Sequence, residues 1–191
     1  MKKKLLIAGD SFTADWTKKY KDIFGWVNML EKDFEVTNIA EAGVSEYKIY
    51  KQLDNIDIFE FDKIIVSHTS AYRIPIEEHP IHKDDLLHYN CDIIYSDVKE
   101  HLENPVMKIA DDFYGSIFYP DYFIFINKLI FNEIYKICPD AIHMTFFDSF
   151  YDEHIYKFQN IFLKYKGNVN HLNKKGNEVM YDKINKILKT K

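Results

Sequence analysis

Arginine is nearly absent from this chain: Arg73 stands alone among 25 basic residues, the other 24 being lysine. Cysteine is scarce too. Cys91 and Cys138 are the only two, which is no disulfide framework, and both are expected as free thiols because a chain of 191 residues has core enough to fold without a cross-link. No apolar run reaches the ~18 residues that a bilayer span requires. Asn127 and Lys128 interrupt the longest candidate, Tyr122 to Ile137, which reads instead as a buried helix. Positive charge is not in excess either, since 30 acidic residues against 25 basic ones leave a net charge of −5 spread along the whole length. Neither a nucleic-acid partner nor attraction to an anionic membrane surface is therefore expected. Repeats and linkers are missing as well, so residues 1–191 read as a single domain. Lys2-Lys3-Lys4 before apolar residues has the outline of a secretion signal, but only five residues separate Lys4 from Asp10, too few for its apolar segment. A cytoplasmic location is the expectation.

What is present alternates between strand and helix patterns. Lys4 to Ala8 reads as a first strand, and Ile23, Val27 and Leu30 then recur at helical spacing. Phe34 to Ile39 alternates like a second strand, Glu46 to Leu53 reads as a short helix, and Lys63-Ile64-Ile65-Val66 as a third strand. Ala141 to Phe147 reads as a fourth, entered through Cys138-Pro139-Asp140, and a fifth is expected around Asn160 to Tyr165. The last helix is expected to start at an Asn173 N-cap, with Val179, Met180, Ile184, Ile187 and Leu188 on one stripe. Strands joined by helices imply an α/β fold with a central parallel sheet. The outlier is a polar, histidine-rich insertion at about 74–105, placed where substrate lids are often found.

Two segments carry chemistry. Gly9-Asp10-Ser11-Phe12 follows the first strand directly, so Ser11 is expected at a strand's carboxyl end, where open α/β sheets gather their ligands. Near the other terminus, Asn168-Val169-Asn170-His171-Leu172-Asn173 sets a histidine just before the last helix. A serine hydroxyl is a weak nucleophile until a base lies within hydrogen-bond reach, and a neutral imidazole is the usual base. The plain alternatives are that Ser11 caps the following helix and that His171 is an ordinary helix-start residue.

Gly-Asp-Ser near the amino end and the His-Leu-Asn-x-x-Gly context of His171, in this order, resemble the SGNH, or GDSL, hydrolase family. The resemblance implies a three-layer α/β/α sandwich of flavodoxin-like type and hydrolysis of an acyl ester, with an O-acylated sugar or glycan precursor as the substrate class. It implies Ser11 as nucleophile and His171 as base. It also implies oxyanion donors at the backbone N–H of Ser11, at the backbone N–H of Glu46 in Gly43-Val44-Ser45-Glu46, and at a hydroxyl of Thr69 or Ser70 in place of the family's asparagine. Where the family has an aspartate three residues before the histidine, this chain has Asn168, which can orient a ring but cannot neutralise it. Asp148, at the end of the fourth strand, is the candidate substitute.

Asp10, His68 and Arg73 fall at strand ends beside the expected crevice, and a guanidinium there suits a substrate carboxylate or phosphate. For His68 a packed core histidine is the favoured reading, with substrate contact the alternative. His79, His82, His88 and Cys91 have metal-ligand character, but their spacing fits no zinc motif, so neither a metal nor another cofactor is expected. The aromatic stretch from Phe113 to Phe125 reads as core packing, with a pocket lining as the alternative. Rivals to the hydrolase reading are an acyltransferase on the same fold and a binding module with a degenerate site.

Overall fold

The computed structural model describes residues 2–21, 23–147 and 155–190. Five parallel strands form its sheet: β1 (Lys3–Gly9), β2 (Phe34–Asn38), β3 (Lys63–His68), β4 (Ile142–Thr145) and β5 (Tyr156–Lys157), in the spatial order β2-β1-β3-β4-β5. Continuous apolar runs form the central strands β1 and β3 because both sheet faces are covered there, while β2 alternates. Leu5 and Ile7 point to one layer of helices, Leu6 and Ala8 to the other. The first layer holds α1 (Trp26–Met29), α6 (Gln159–Lys164) and α7 (Lys174–Thr190), the second α2 (Glu46–Asp54) and α5 (Pro120–Ile137). Crossover handedness explains this division. The chain steps from β1 to β2 in one direction and from β2 to β3 in the other, so right-handed crossovers put α1 and α2 on opposite faces. The result is an α/β protein compatible with a flavodoxin-like sandwich. Its strand order reverses between β1 and β3, and the crevice at such a switch point is where ligands of open sheets bind.

Four expectations change. No strand runs from Asn160 to Tyr165; α6 lies there, because Phe158, Ile161, Phe162 and Tyr165 repeat at helical spacing and pack on the core. The fifth strand is the two-residue β5, paired through Met144 with Tyr156 and Thr145 with Lys157. The segment from Tyr122 to Ile137 is a helix but not a buried one: only Asn127 and Ile134 of α5 are buried, while Tyr122, Phe125 and Leu129 are exposed. The aromatic stretch accordingly divides between a cluster of Phe113, Tyr114, Phe118 and Phe123 and the exposed Tyr119, Tyr122 and Phe125. Ile23 precedes α1 and is exposed rather than part of its stripe.

The insertion is more ordered than its polarity suggests. Ile74 and Ile93 pair as an antiparallel bridge, and α3 (Tyr95–Glu100) and α4 (Pro105–Ser116) close a small cluster of Ile93, Val98, Met107 and Ala110. Asn104 caps α4 by accepting from the Val106 N–H at 2.9 Å, with Pro105 at the first helical position.

Candidate active site

The turn after β1 is built to hold Ser11 in place. Gly9 makes it possible, with φ +142 and no room for a Cβ, which would lie 2.6 Å from the Ser67 carbonyl oxygen. Successive carbonyls of the turn are then claimed by distant side chains. Ser11 O accepts from Trp16 Nε1 at 3.0 Å and Asn170 Nδ2 at 3.3 Å, Phe12 O from Trp26 Nε1 at 3.0 Å, Thr13 O from Asn38 Nδ2 at 2.9 Å, and Ala14 O from Asn170 Nδ2 at 2.9 Å. Satisfied this way, a non-helical turn can be buried without orphaned backbone groups. Ser11 itself is 6 % exposed.

His171 reaches the same point from the far end of the chain. The strand β6 (Lys166–Val169) lies apart from the main sheet and folds back on Leu172, with Gly167 N–H bonded to His171 O at 3.1 Å. Asn170 and His171 form the reversal with φ values of 48 and 59, a conformation that asparagine and histidine tolerate better than most residues. Asn173 caps α7, accepting from Gly176 N–H at 2.9 Å as its sequence position predicts. Asn177 then ties helix to turn, donating to Val169 O and Leu172 O at 3.2 Å each. His171 Nε2 lies 2.7 Å from Ser11 Oγ, and its ring packs on Phe12 with centroids 4.5 Å apart. The Ser11 hydroxyl is thus bonded to a histidine 160 residues away, not to a helix cap.

Burial pushes the His171 imidazole down to about 4, and the positive groups Arg73 and His88 add to the effect. At neutral pH the ring is uncharged and Nε2 can accept the serine proton. Among the described residues no carboxylate contacts its Nδ1. Asn168 does not orient the ring: it sits exposed in β6, and Asn170, two residues on, does the anchoring instead. Asp148 lies outside the described residues.

A cleft of about 500 Å³ opens over the pair, lined by Ser11, Phe12, Gly43, Arg73, Phe147, Phe162 and His171. The insertion supplies its facing wall through His82, Asp85, His88, Cys91, Asp92 and Asp97. Gly43, rather than Glu46, is the residue of its turn that borders the cleft. It has φ +80, and a Cβ there would lie 2.4 Å from Cys91 Cβ. Among the described residues the backbone N–H groups of Ser11 and Gly43 have no protein acceptor. Such a pair is chemically equipped to meet an oxyanion.

Glu46 serves otherwise. It is buried at the start of α2, and its carboxylate contacts His68 Nδ1 and accepts from Thr69 N–H at 3.2 Å. His68 Nε2 meets His143 Nδ1 at 2.9 Å, and His143 Nε2 bonds Cys138 O at 3.0 Å. Because a carbonyl only accepts, His143 carries its proton on Nε2 and, when neutral, offers a lone pair to His68 Nε2–H. Glu46, His68 and His143 thus form a buried chain beneath the second helix layer. His68 is a fully buried member of that chain and not a cleft residue. Ser70 Oγ accepts from Tyr72 N–H at 3.3 Å and borders a separate small pocket against α5, so it too leaves the candidate oxyanion set. Thr69 Oγ1 is buried and faces the Asp10 carboxyl, which its hydroxyl helps to hold down against burial.

Asp10 is fully buried under the turn, its Oδ1 accepting from Phe12 N–H and Ser67 Oγ at 3.2 Å each. Burial outweighs the neighbouring Arg73 and pushes its carboxyl up to about 6. It supports the turn that carries Ser11 from below.

His79 and His82 do meet, but their partner is Asp97: the three donor atoms lie within 4.8 Å of one another. His79 Nδ1 accepts from the Ile81 and His82 N–H groups at 3.2 Å each. The ring proton of neutral His79 therefore sits on Nε2, facing Asp97, and no lone pair is left there for a metal. Cys91 packs against Gly43, and burial pushes its thiol up to about 12. Cys138 is likewise a free, buried thiol, and no cleft residue.

Sequence reasoning missed Asn170 and Gly43. Both had a signal: an Asn-His pair between a strand and a capped helix marks a left-handed turn, and a glycine ahead of the Ser45 cap marks a sharp one. Comparison of the chain with protein-family models, with curated proteins and with solved structures found no match.

Proposed function

We propose that the protein is an SGNH-like serine esterase that hydrolyses an acyl ester, with a small molecule or glycan as the acyl carrier. The observation carrying this reading is the 2.7 Å contact between Ser11 Oγ and His171 Nε2 at the switch point of a parallel sheet. Ser11 Oγ attacks the ester carbonyl as its proton passes to His171 Nε2, and a bond forms between Oγ and the acyl carbon. The N–H groups of Ser11 and Gly43 are the candidate donors to the oxyanion, while the buried Thr69 hydroxyl faces Asp10 instead. Collapse breaks the ester C–O bond, and the leaving alkoxide takes the proton from His171. Water, deprotonated by the same imidazole, then releases the acid and regenerates Ser11. Among the described residues no carboxylate lies on Nδ1, so the machinery is a Ser-His dyad, slower than a full triad by orders of magnitude, or an atypical triad completed by Asp148 outside them. That same gap is the one observation favouring a non-catalytic binding module.

Two measurements separate the readings. Wild-type protein is expected to be labelled at Ser11 by an active-serine fluorophosphonate and to hydrolyse p-nitrophenyl acetate. Ser11→Ala should lose the label and at least about 10³-fold in rate. Equal rates for wild type and Ser11→Ala would end the catalytic reading.

A further inference from the structure

Arg73 is the chain's only arginine and is 8 % exposed, yet among the described residues neither its Nε nor its Nη1 has a hydrogen-bond partner. Its nearest counter-charge among the described residues is Asp10 Oδ2, 4.0 Å from Nη2 and too far for a direct hydrogen bond, and Asp10 also faces the Thr69 hydroxyl. Phe147 lies under the guanidinium at 6.0 Å. A guanidinium held this way normally forks onto carboxylate or phosphate oxygens, because leaving buried charged donors unmet is costly.

The other charges of the cleft wall are already answered. Asp92 is held by Lys48 at 2.9 Å, by Ser45 N–H at 2.7 Å and by Ile76 N–H at 3.0 Å. Asp85 is held by Lys19 at 2.5 Å and by the Leu87 and His88 N–H groups. Asp97 faces His82 at 3.4 Å. Among the described residues, the unmet side-chain donors of a charged group in the cleft shared with Ser11 and His171 belong to Arg73.

We propose that Arg73 is an anion subsite beside the nucleophile, so that the ester this protein cleaves carries a carboxylate or phosphate group close to the scissile bond. This rests on the esterase reading of Ser11 and His171, but the subsite can be tested without catalysis. Every other basic position of the chain is a lysine, and only the arginine presents a planar fork of donors. An oxygen within reach of Nε or Nη1 supplies what Asp10, at its distance, does not.

A single arginine gives a single Nε–H resonance, so wild-type protein grown with ¹⁵N-arginine needs no assignment. Succinate and inorganic phosphate, titrated separately at constant ionic strength, should shift that resonance saturably, and whichever saturates lower identifies the carboxylate or the phosphate source. A linear drift equal to that given by chloride overturns the subsite. For turnover, the readout is the ratio of kcat/KM for mono-4-nitrophenyl glutarate to that for 4-nitrophenyl butyrate. It should favour the anionic ester in wild type, fall by about 10–100-fold in Arg73→Gln, and fall less in Arg73→Lys, which keeps charge but loses the fork. An unchanged ratio in an Arg73→Gln protein that still takes the fluorophosphonate label overturns the proposal. If Arg73→Gln does not fold, the resonance titration decides. Absence of Ser11-dependent turnover of both esters, together with a saturable shift, would remove the esterase reading and leave the subsite standing.

Discussion

A left-handed histidine is an unusual choice for any backbone position, and His171 at φ 59 holds one of only two such non-glycine positions among the described residues. Conformations of this kind cost roughly 1–3 kcal/mol and persist where surrounding contacts over-determine them. Here the contacts are the Asn170 and Asn177 amides and the Phe12 ring, and their product is an imidazole aimed at Ser11. Its environment also keeps it neutral. The C2 proton of His171 is therefore expected to titrate near pH 4 in an NMR titration, well below an ordinary histidine; a midpoint near 6.5 would mean that the ring is solvated and the burial argument fails. At this scale the meeting of Ser11 and His171 was legible in the sequence, because a glycine-terminated apolar run and a capped C-terminal helix fix where each sits. The Glu46 assignment was not: a motif position locates a backbone N–H but does not reveal that the side chain pairs with a buried histidine one strand away.

Among elements, the turn joining β6 to α7 is the one on which the site depends. Asn170 bridges it to the turn that carries Ser11 through Ala14 O at 2.9 Å and Ser11 O at 3.3 Å, and Gly25 leaves room for that amide, since a Cβ there would lie 1.7 Å from Asn170 Oδ1. Asn170→Ala should lower stability by about 1–3 kcal/mol in urea unfolding, the cost of leaving a buried carbonyl without its donor. It should slow fluorophosphonate labelling of Ser11 by a larger factor than the stability loss explains, because the two halves of the site are no longer tied. Labelling at the wild-type rate would show that β6 and α7 position His171 unaided. Long elements were readable because periodicity accumulates over them: β1, β3 and α7 fall where their patterns place them. The two-residue β5 offers no period to read, and α6 passed for a strand because Ile161, Phe162 and Leu163 form a continuous apolar run whose helical spacing shows only when Phe158 and Tyr165 are included.

For the whole molecule, buried titratable groups on either side of the cleft set opposing dependences of stability on pH. Burial first, then the positive charge of His82, pushes His79 down to about 4 from an ordinary value of 6.5. Between those limits the unfolded chain binds a proton that the folded chain refuses, so this group makes stability fall as pH falls from 6.5 toward 4. Asp10 acts in the reverse sense. With its carboxyl raised to about 6 from 3.8, the folded chain takes up the proton first, so its contribution is fully present below 3.8 and is lost as pH rises through 6. His171 sides with His79, and Asp97, raised by burial, sides with Asp10, so the net profile of the wild type mixes both signs. Single substitutions separate them. In His79→Asn the amide oxygen stands where Nδ1 accepts the Ile81 and His82 N–H groups, and the stability difference from wild type should move in the variant's favour as pH is lowered from 7 to 4. In Asp10→Asn, which keeps an acceptor for Phe12 N–H and Ser67, the difference should move against the variant over the same range. Urea midpoints at pH 7, 5.5 and 4 give both slopes. Slopes of the same sign would mean that one of the two groups is not buried as the fold places it, and with it the wall or the floor of the cleft.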